Sequence, residues 1–305
     1  MVELVVPTVA DAGRIAELVN ARSRALEGAN EESTESVARW FAIPDLAPAA
    51  DMRLAVAHGG TVLGYADVSA PEDGTPRAAV DLRVRASTSE ALALLFAWTE
   101  QRAAERAGPG GVVHYFVDEQ ELSVRDVLVA AGYAIVRGSY VMVRPLGPHL
   151  EPPIWPDAIE VRPFDEEYAR ALAVAHEEAF SDHWGHTSWT YEAWRAYNLG
   201  EGEDTALWRI AWDGDEIAGL CLSAPRRGED DATGWIKVLG VRRQWRRRGL
   251  GEALLRDAFV TFAALGKQEA GLGVDAENTT NAVALYERVG MHVVRRSDTW
   301  ERIVA

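Results

Sequence analysis

Apolar and polar positions along this chain repeat a pattern twice. Residues 52–68, MRLAVAHGGTVLGYADV, alternate as two short strands around a glycine turn, and residues 207–223, LWRIAWDGDEIAGLCLS, do the same. Gly59 then aligns with Gly214, and Gly64 with Gly219, at one constant offset. Downstream, AVDLRVRA (79–86) answers WIKVLGVR (235–242), each an apolar strand pattern followed by a helical one. Near the end of each half, residues 127–144 and 285–302 read as a helix stopped by Gly132 or Gly290 and then two strands. Each half also opens with a strand and helices. An internal repeat of this length predicts two copies of one α/β unit, each a mixed, mostly antiparallel sheet flanked by helices. Between them, Pro145 to Pro156 holds five prolines and suits an extended connection. The expected division is 1–147, a linker at 148–157, and 158–305.

A length of 305 residues fits two such units, each large enough for its own core. The longest apolar run, Ala91 to Trp98, is too short to span a bilayer, so no membrane association is expected. The opening MVELVVPTVADAGR reads as a strand entering a turn and not as a signal peptide, which makes the cytoplasm the expected location. Cys221 is the only cysteine, so no disulfide framework or cysteine-based zinc site is expected, and its apolar strand suits a small core residue. The net charge of −16 is spread over both halves and disfavours nucleic acid as a partner. A repeat that can bury its own surfaces is compatible with a monomer.

Against this acidic background, Val241 to Arg248 (VRRQWRRR) carries five arginines and no carboxylate. It lies between the strand Val238-Leu239-Gly240-Val241 and a helix with Leu254, Leu255, Ala258, Phe259 and Phe262 on one side. A strand, a glycine-containing loop and a helix N-terminus together form an anion cradle. The first N–H groups of the helix have no internal partner, and its dipole favours a negative group by about 0.3–1 kcal/mol. Gly249 and Gly251 leave the backbone accessible to such a group. A nucleoside-triphosphate loop would need Gly-Lys-Ser/Thr, and a dinucleotide fingerprint would need a third glycine where Leu254 stands.

The hexapeptide Arg246-Arg247-Arg248-Gly249-Leu250-Gly251 fits the R/Q-x-x-G-x-G/A signature of the GNAT acyltransferase superfamily. Residues 272–291, LGVDAENTTNAVALYERVGM, resemble its second block through Asn278, Leu285, Tyr286 and Gly290, with Met291 where an aromatic residue is common. The two-domain layout is similar to that of the mycothiol synthases, tandem members of the superfamily. This resemblance implies acetyl-CoA as co-substrate, with no metal. It implies a slot between two splayed strands, where the backbone at Leu239, Gly240 and Val241 pairs with the pantetheine arm. Arg246, Arg247, Arg248, Gly249, Leu250, Gly251 and Asn278 complete the implied binding set. It also implies that Tyr286 protonates the departing thiolate, for which a phenol of pKa about 10 is suited. Tyr286 as an ordinary core aromatic is the alternative.

The N-terminal copy lacks these devices: residues 86–91 read Ala-Ser-Thr-Ser-Glu-Ala, and Leu128 stands at the position of Tyr286. It is expected to be degenerate, leaving acetyl-CoA binding and catalysis to the C-terminal copy. The C-terminal copy departs from many relatives too, since Gly234 to Val241 holds no carboxylate and only Lys237 is ionisable there. Asp275 and Glu277 are the candidates for a general base acting through water. Phe180 to His186 (FSDHWGH) offers Asp182, His183 and Trp184 to an amine acceptor, or is a structural loop with Asp182 capping and Trp184 buried. His183 and His186 supply only two ligands, so a metal site is not expected. The expected function is acetyl transfer from acetyl-CoA to the primary amine of a small molecule. The alternatives are an inactive CoA-binding regulatory module and a peptide N-terminal acetyltransferase.

Overall fold

The computed structural model describes residues 1–28, 30–43, 46–71, 74–85, 88–184, 186, 188–200, 204–278 and 281–305. The described residues form two compact units. Unit 1 comprises Met1–Ser139, Gly228–Asp230 and Arg295–Ala305, and unit 2 comprises Tyr140–Arg227 and Asp231–Val294. The last residues of the chain thus belong to unit 1, whereas the repeat alone suggests one cut near the prolines. Sequence periodicity identifies a strand but not the neighbour that accepts its hydrogen bonds.

Unit 1 contains β1 (Val2–Val5), α1 (Ala12–Glu27), α2 (Thr34–Trp40), α3 (Pro48–Asp51), β2 (Met52–Ala57), β3 (Val62–Ser69), β4 (Arg77–Val84), α4 (Ser89–Ala107), β5 (Val112–Asp118) and α5 (Leu122–Ala130). The long strand β6 (Ala134–Pro145) begins in it. Its sheet runs β1-β2-β3-β4-β5 and ends on β12 (His292–Ile303), whose residues Ser297–Ile303 lie antiparallel to Val112–Asp118. Alternation along β2 and β3 places Met52, Leu54 and Tyr65 under α1, and Ala55, Ala66 and Val68 under α4 and α5.

Unit 2 repeats the plan with β7 (Ile159–Arg162), α6 (Ala169–Phe180), α7 (Tyr191–Asn198), β8 (Arg209–Asp213), β9 (Glu216–Ala224), β10 (Thr233–Val241), α8 (Leu250–Ala264), β11 (Glu269–Asp275) and α9 (Ala282–Arg288). Its strands run β7-β8-β9-β10-β11-β6. The β4–β5 and β10–β11 pairs are parallel, whereas β1 to β4, β5 with β12, and β7 to β10 pair antiparallel with their neighbours. Ile210, Trp212, Leu220 and Val238 face α6 and α7, while Ala211, Cys221, Leu239 and Val241 face α8 and α9. The proline-rich stretch carries no helix or strand between 146 and 158, yet Leu146, Leu150 and Trp155 pack on the core of unit 2.

The predicted glycine stops hold. Gly132 and Gly290 take φ of 82° and 86°, the left-handed region where a side chain is costly, and they end α5 and α9. A single 12-residue strand follows each stop, where two strands are expected from the sequence. Neither RGSY nor RRSD supplies a turn, so the extended backbone continues. Among the described residues no helix is long and apolar enough to cross a membrane.

Candidate active site in the second unit

Pairing between β10 and β11 begins at Thr233↔Glu269 and ends at Ile236↔Leu272. Beyond it β10 stays bound to β9 as far as Val241↔Gly219, past a bulge between Ile236 and Val238. The backbone from Lys237 to Val241 therefore runs past β11 without pairing to it, and the strands separate. Leu239, Gly240 and Val241 line the β10 side of this slot.

The arginine loop continues from Val241. Trp245 is buried and donates from Nε1 to Asp213 Oδ2 at 2.8 Å, which pins the loop to β8. Arg242 donates to Glu178 Oε2 (2.7 Å) and the Ile217 carbonyl (2.9 Å) and stacks over the Trp245 ring at 4.9 Å. Arg246 turns inward as well: Nε donates to the Val241 carbonyl (3.0 Å), Nη2 to the Ala179 carbonyl (3.0 Å) and Nη1 to Asp182 (3.1 Å). Arg247 and Arg248 are exposed and have no partner among the described residues. Sequence alone gave these arginines no separate tasks; the structure uses Arg242, Arg243 and Arg246 to hold the loop and leaves Arg247 and Arg248 projecting.

Arg247 takes φ of 62°, a strained value for a side-chain-bearing residue, and Gly249 takes φ of 85° as the N-cap of α8. The helix starts at Leu250, with no side-chain cap, so its first N–H groups face outward from the loop. A Cβ on Gly251 would lie 3.3 Å from Leu285 Cδ2 and 3.7 Å from Val241 Cγ2. The absent side chain is what lets the start of α8, the end of β10 and α9 come together. This arrangement fits a pyrophosphate, which needs bare N–H groups, nearby cations and no intervening side chain.

On the α8 and α9 side, Tyr286 packs in one apolar cluster with Cys221 and Leu239 and is 7% exposed. Its hydroxyl has no hydrogen-bond partner among the described residues. Burial, and then the neighbouring Cys221, hold its pKa above the ordinary phenol value. The Cys221 thiol is itself pushed up to about 12 by burial, so it is an un-ionised core group. Asn278 follows the end of β11; its N–H donates to the Asp275 carbonyl (3.2 Å) and its carbonyl accepts from Asn281 (3.2 Å). Asp275 Oδ1 accepts the N–H of Glu277 at 3.0 Å, and Glu277 is exposed.

The opposite face is closed by the end of α6. A Cβ on Gly240 would approach Ala179 Cβ and Phe180 Cε2 to 3.0 Å, so Phe180 lies against the slot. His183 packs on Phe180 with ring centroids 4.6 Å apart. Asp182 is clamped by Arg243 and Arg246, and these hydrogen bonds hold its carboxyl below the usual range. Trp184 is 42% exposed, which is not the buried position of the purely structural alternative. Gly185 lies outside the described residues, as do Thr279 and Thr280 of the second block. His176, Glu177 and Trp194, which the sequence reading does not single out, complete this face: Trp194 Nε1 donates to His176 Nδ1 at 2.8 Å, and His186 Nε2 meets Glu177 Oε1 at 2.7 Å. The i, i+4 spacing of His176 and Phe180 on α6 was the available signal. No group of three or more His, Cys, Asp or Glu among the described residues is arranged to hold a metal ion.

Unit 1 shows the same end of parallel pairing, at Val80↔Tyr115. There the opening is a cleft of about 240 Å³ lined by Arg22, Asp81, Arg83, Phe116, Asp118, Arg295 and Ser297. Arg83 Nε binds both oxygens of Asp81 (2.8 and 2.9 Å), Arg295 Nε binds Asp118 (2.7 Å), and Arg22 pairs with Glu121. Leu128 is fully buried, and Ala86 and Ser87, at the start of the cradle position, lie outside the described residues.

Comparison with known proteins agrees with this geometry. The Acetyltransferase (GNAT) family matches residues 169–291. The chain is 32% identical to the mycothiol acetyltransferase of Geodermatophilus obscurus over 154 residues, 48% of this chain and 49% of that protein. It is 30% identical to that of Salinispora tropica over 246 residues, 76% and 75% of the two chains. The match thus spans about half the length of the first relative and three quarters of the second. A GCN5-related N-acetyltransferase from Sphaerobacter thermophilus superposes with a TM-score of 0.79 at 31% identity, covering 99% of this chain and 96% of that one. With a repeated fold that matches along its length and a family profile centred on the slot and its cradle, this chain belongs to the GNAT acetyltransferase family.

Proposed function

We propose that this protein transfers the acetyl group of acetyl-CoA to the primary amine of a small molecule, in the slot of unit 2. The observation that carries this is the end of β10–β11 pairing at Ile236↔Leu272, with the glycine cradle beside it and Tyr286 in the apolar cluster that Leu239 packs on. Arg247, Arg248 and the N–H groups from Gly249 to Glu252 would hold the pyrophosphate. The backbone at Leu239, Gly240 and Val241 would hold the pantetheine arm as an added strand does. Acetyl-CoA supplies an acyl group already activated as a thioester.

Within this site the chain's residues position and protonate. The backbone near Val241 polarises the acyl carbonyl, an effect strongest where water is excluded. Tyr286 keeps its proton at neutral pH because burial raises its pKa, and it gives that proton to the departing thiolate. The N-terminal copy is proposed to bind no acetyl-CoA, since ion pairs stand where unit 2 has open backbone. The missing carboxylate on β10 favours a second reading, a CoA-binding module without transfer activity, and the free Tyr286 hydroxyl speaks against it. Release of CoA from acetyl-CoA, followed against small amines, acceptors of the mycothiol acetyltransferases and peptides, tests the proposal. Turnover with a small amine supports it; tight CoA binding with no turnover on any acceptor refutes it.

A further inference from the structure

The chain has no carboxylate on β10, so the group that takes the amine proton must come from elsewhere. We infer that His183 is the general base of the transfer, an inference that rests on the proposed acetyl transfer in the unit 2 slot. Three histidines gather at the α6 end, His176, His183 and His186. His176 Nδ1 accepts from Trp194, and His186 Nε2 is bound to Glu177. The His183 ring has no hydrogen bond among the described residues, so its nitrogens remain for a ligand. The backbone fixes its position, because the His183 N–H donates to the Phe180 carbonyl (2.9 Å) and its own carbonyl accepts from His186 (3.2 Å).

Alternation along β10 sets where this imidazole acts. Leu239 and Val241 face α8, α9 and Tyr286, whereas Val238 and Gly240 face α6. Phe180 lies against Gly240, and His183 lies against Phe180. The acid and the base therefore flank the slot on opposite faces of the sheet, so that the attacking amine and the departing thiolate each meet their own proton-transfer group. Four charged or titratable groups act on the ring. Asp275, at the end of β11 across the slot, is the strongest and favours the imidazolium, as does Asp182; Arg246 and His186 oppose it. Burial of the partly buried ring outweighs them and holds its pKa below the ordinary value, so the neutral base is the main form at pH 7.

The step balances. A bond forms between the amine nitrogen and the acetyl carbon while the carbonyl electron pair moves onto oxygen, and the carbon–sulfur bond breaks as that pair returns. One amine proton passes to the His183 imidazole, the Tyr286 hydroxyl proton passes to the thiolate, and solvent returns the imidazolium proton to the phenolate.

The test is the pH profile of kcat/KM for the wild type, His183→Gln and Asp275→Asn, with two amines of different basicity, beside calorimetric titration of acetyl-CoA. We expect His183→Gln to lower kcat/KM by about 10²–10⁴-fold with acetyl-CoA affinity unchanged, and to leave only the part of the acidic limb that follows the basicity of the amine. Asp275→Asn removes the anion that favours the imidazolium, so it should move that limb to lower pH, a shift that loss of packing would not produce. Imidazole in solution should partly restore His183→Ala. Wild-type single-turnover rates with an unchanged limb in His183→Gln, or a limb in the wild type that follows the basicity of the amine alone, would overturn the inference while leaving acetyl transfer standing. A wild-type chain that binds CoA and acetylates no amine would overturn both.

Discussion

Replacing Gly249 and Gly251 together with valine separates the cradle from the fold. At Gly249 a side chain meets no atom within 4 Å, so its cost is entirely in the backbone, which sits at φ of 85°. Holding an L-residue in that left-handed region costs about 1–2 kcal/mol, and β-branching resists it further. At Gly251 the cost is steric. The first carbon would lie 3.3 Å from Leu285 Cδ2, tighter than ordinary contact, and the valine methyls must find room beyond it. Overpacking of this kind costs about 1–3 kcal/mol, partly offset by a helical preference over glycine of about 0.5–1 kcal/mol. The combined loss is smaller than the 5–15 kcal/mol typical of a folded domain, so the variant should stay folded with a melting temperature lowered by several degrees. Binding should suffer far more, because the side chain at 249 stands in the open space before α8 and the one at 251 pushes the start of α8 away from β10 and α9, which breaks up the cradle. Circular dichroism should therefore show native secondary structure while calorimetry shows no heat on adding acetyl-CoA. Wild-type affinity in the folded variant would mean that the cradle is elsewhere in the chain.

Three further outcomes follow from the same geometry. Tyr286→Phe keeps the ring in its apolar cluster and removes only the hydroxyl, so acetyl-CoA affinity should hold while the single-turnover rate falls by about 10²–10⁴-fold; an unchanged rate would return Tyr286 to the core. Native mass spectrometry should find one acetyl-CoA per chain, and two equivalent molecules would show that the ion pairs of the unit 1 cleft do not exclude it. His176, pushed down to about 4 by burial, takes up its proton in the unfolded chain before it does so in the folded one. Its contribution to stability is therefore complete above about pH 6.5 and fades as pH falls toward 4, by about 3 kcal/mol in all. Urea unfolding should show this slope reduced in His176→Gln, which keeps an acceptor for Trp194, and an equal slope in both proteins would refute it.

What the sequence made legible was local or periodic. The glycines at 132 and 290 stop helices because their backbone must turn left-handed, and any chain with that pattern announces it. The cradle was visible because strand, arginines and glycines are contiguous. Less visible were the partners of each arginine: Arg242 and Arg246 reach Glu178, Ala179 and Asp182, more than 60 residues earlier, and no spacing rule links them. The continuity of β6 and β12 was missed because the absence of a turn signal is weaker evidence than its presence. His183 was legible only as one of two histidines in a loop. Its distinction, an unbonded ring against Phe180 near Asp275, appears only once α6 is folded onto β10.

The most direct measurement mixes the full chain with one equivalent of isotopically labelled acetyl-CoA and a panel of small primary amines, quenches within a single turnover, and identifies the products by mass spectrometry. Labelled amide should form on at least one amine with an equal amount of free CoA. Labelled acetyl-CoA recovered intact from a protein that binds it tightly, across the whole panel, would contradict acetyl transfer to a small amine and leave a CoA-binding module in its place.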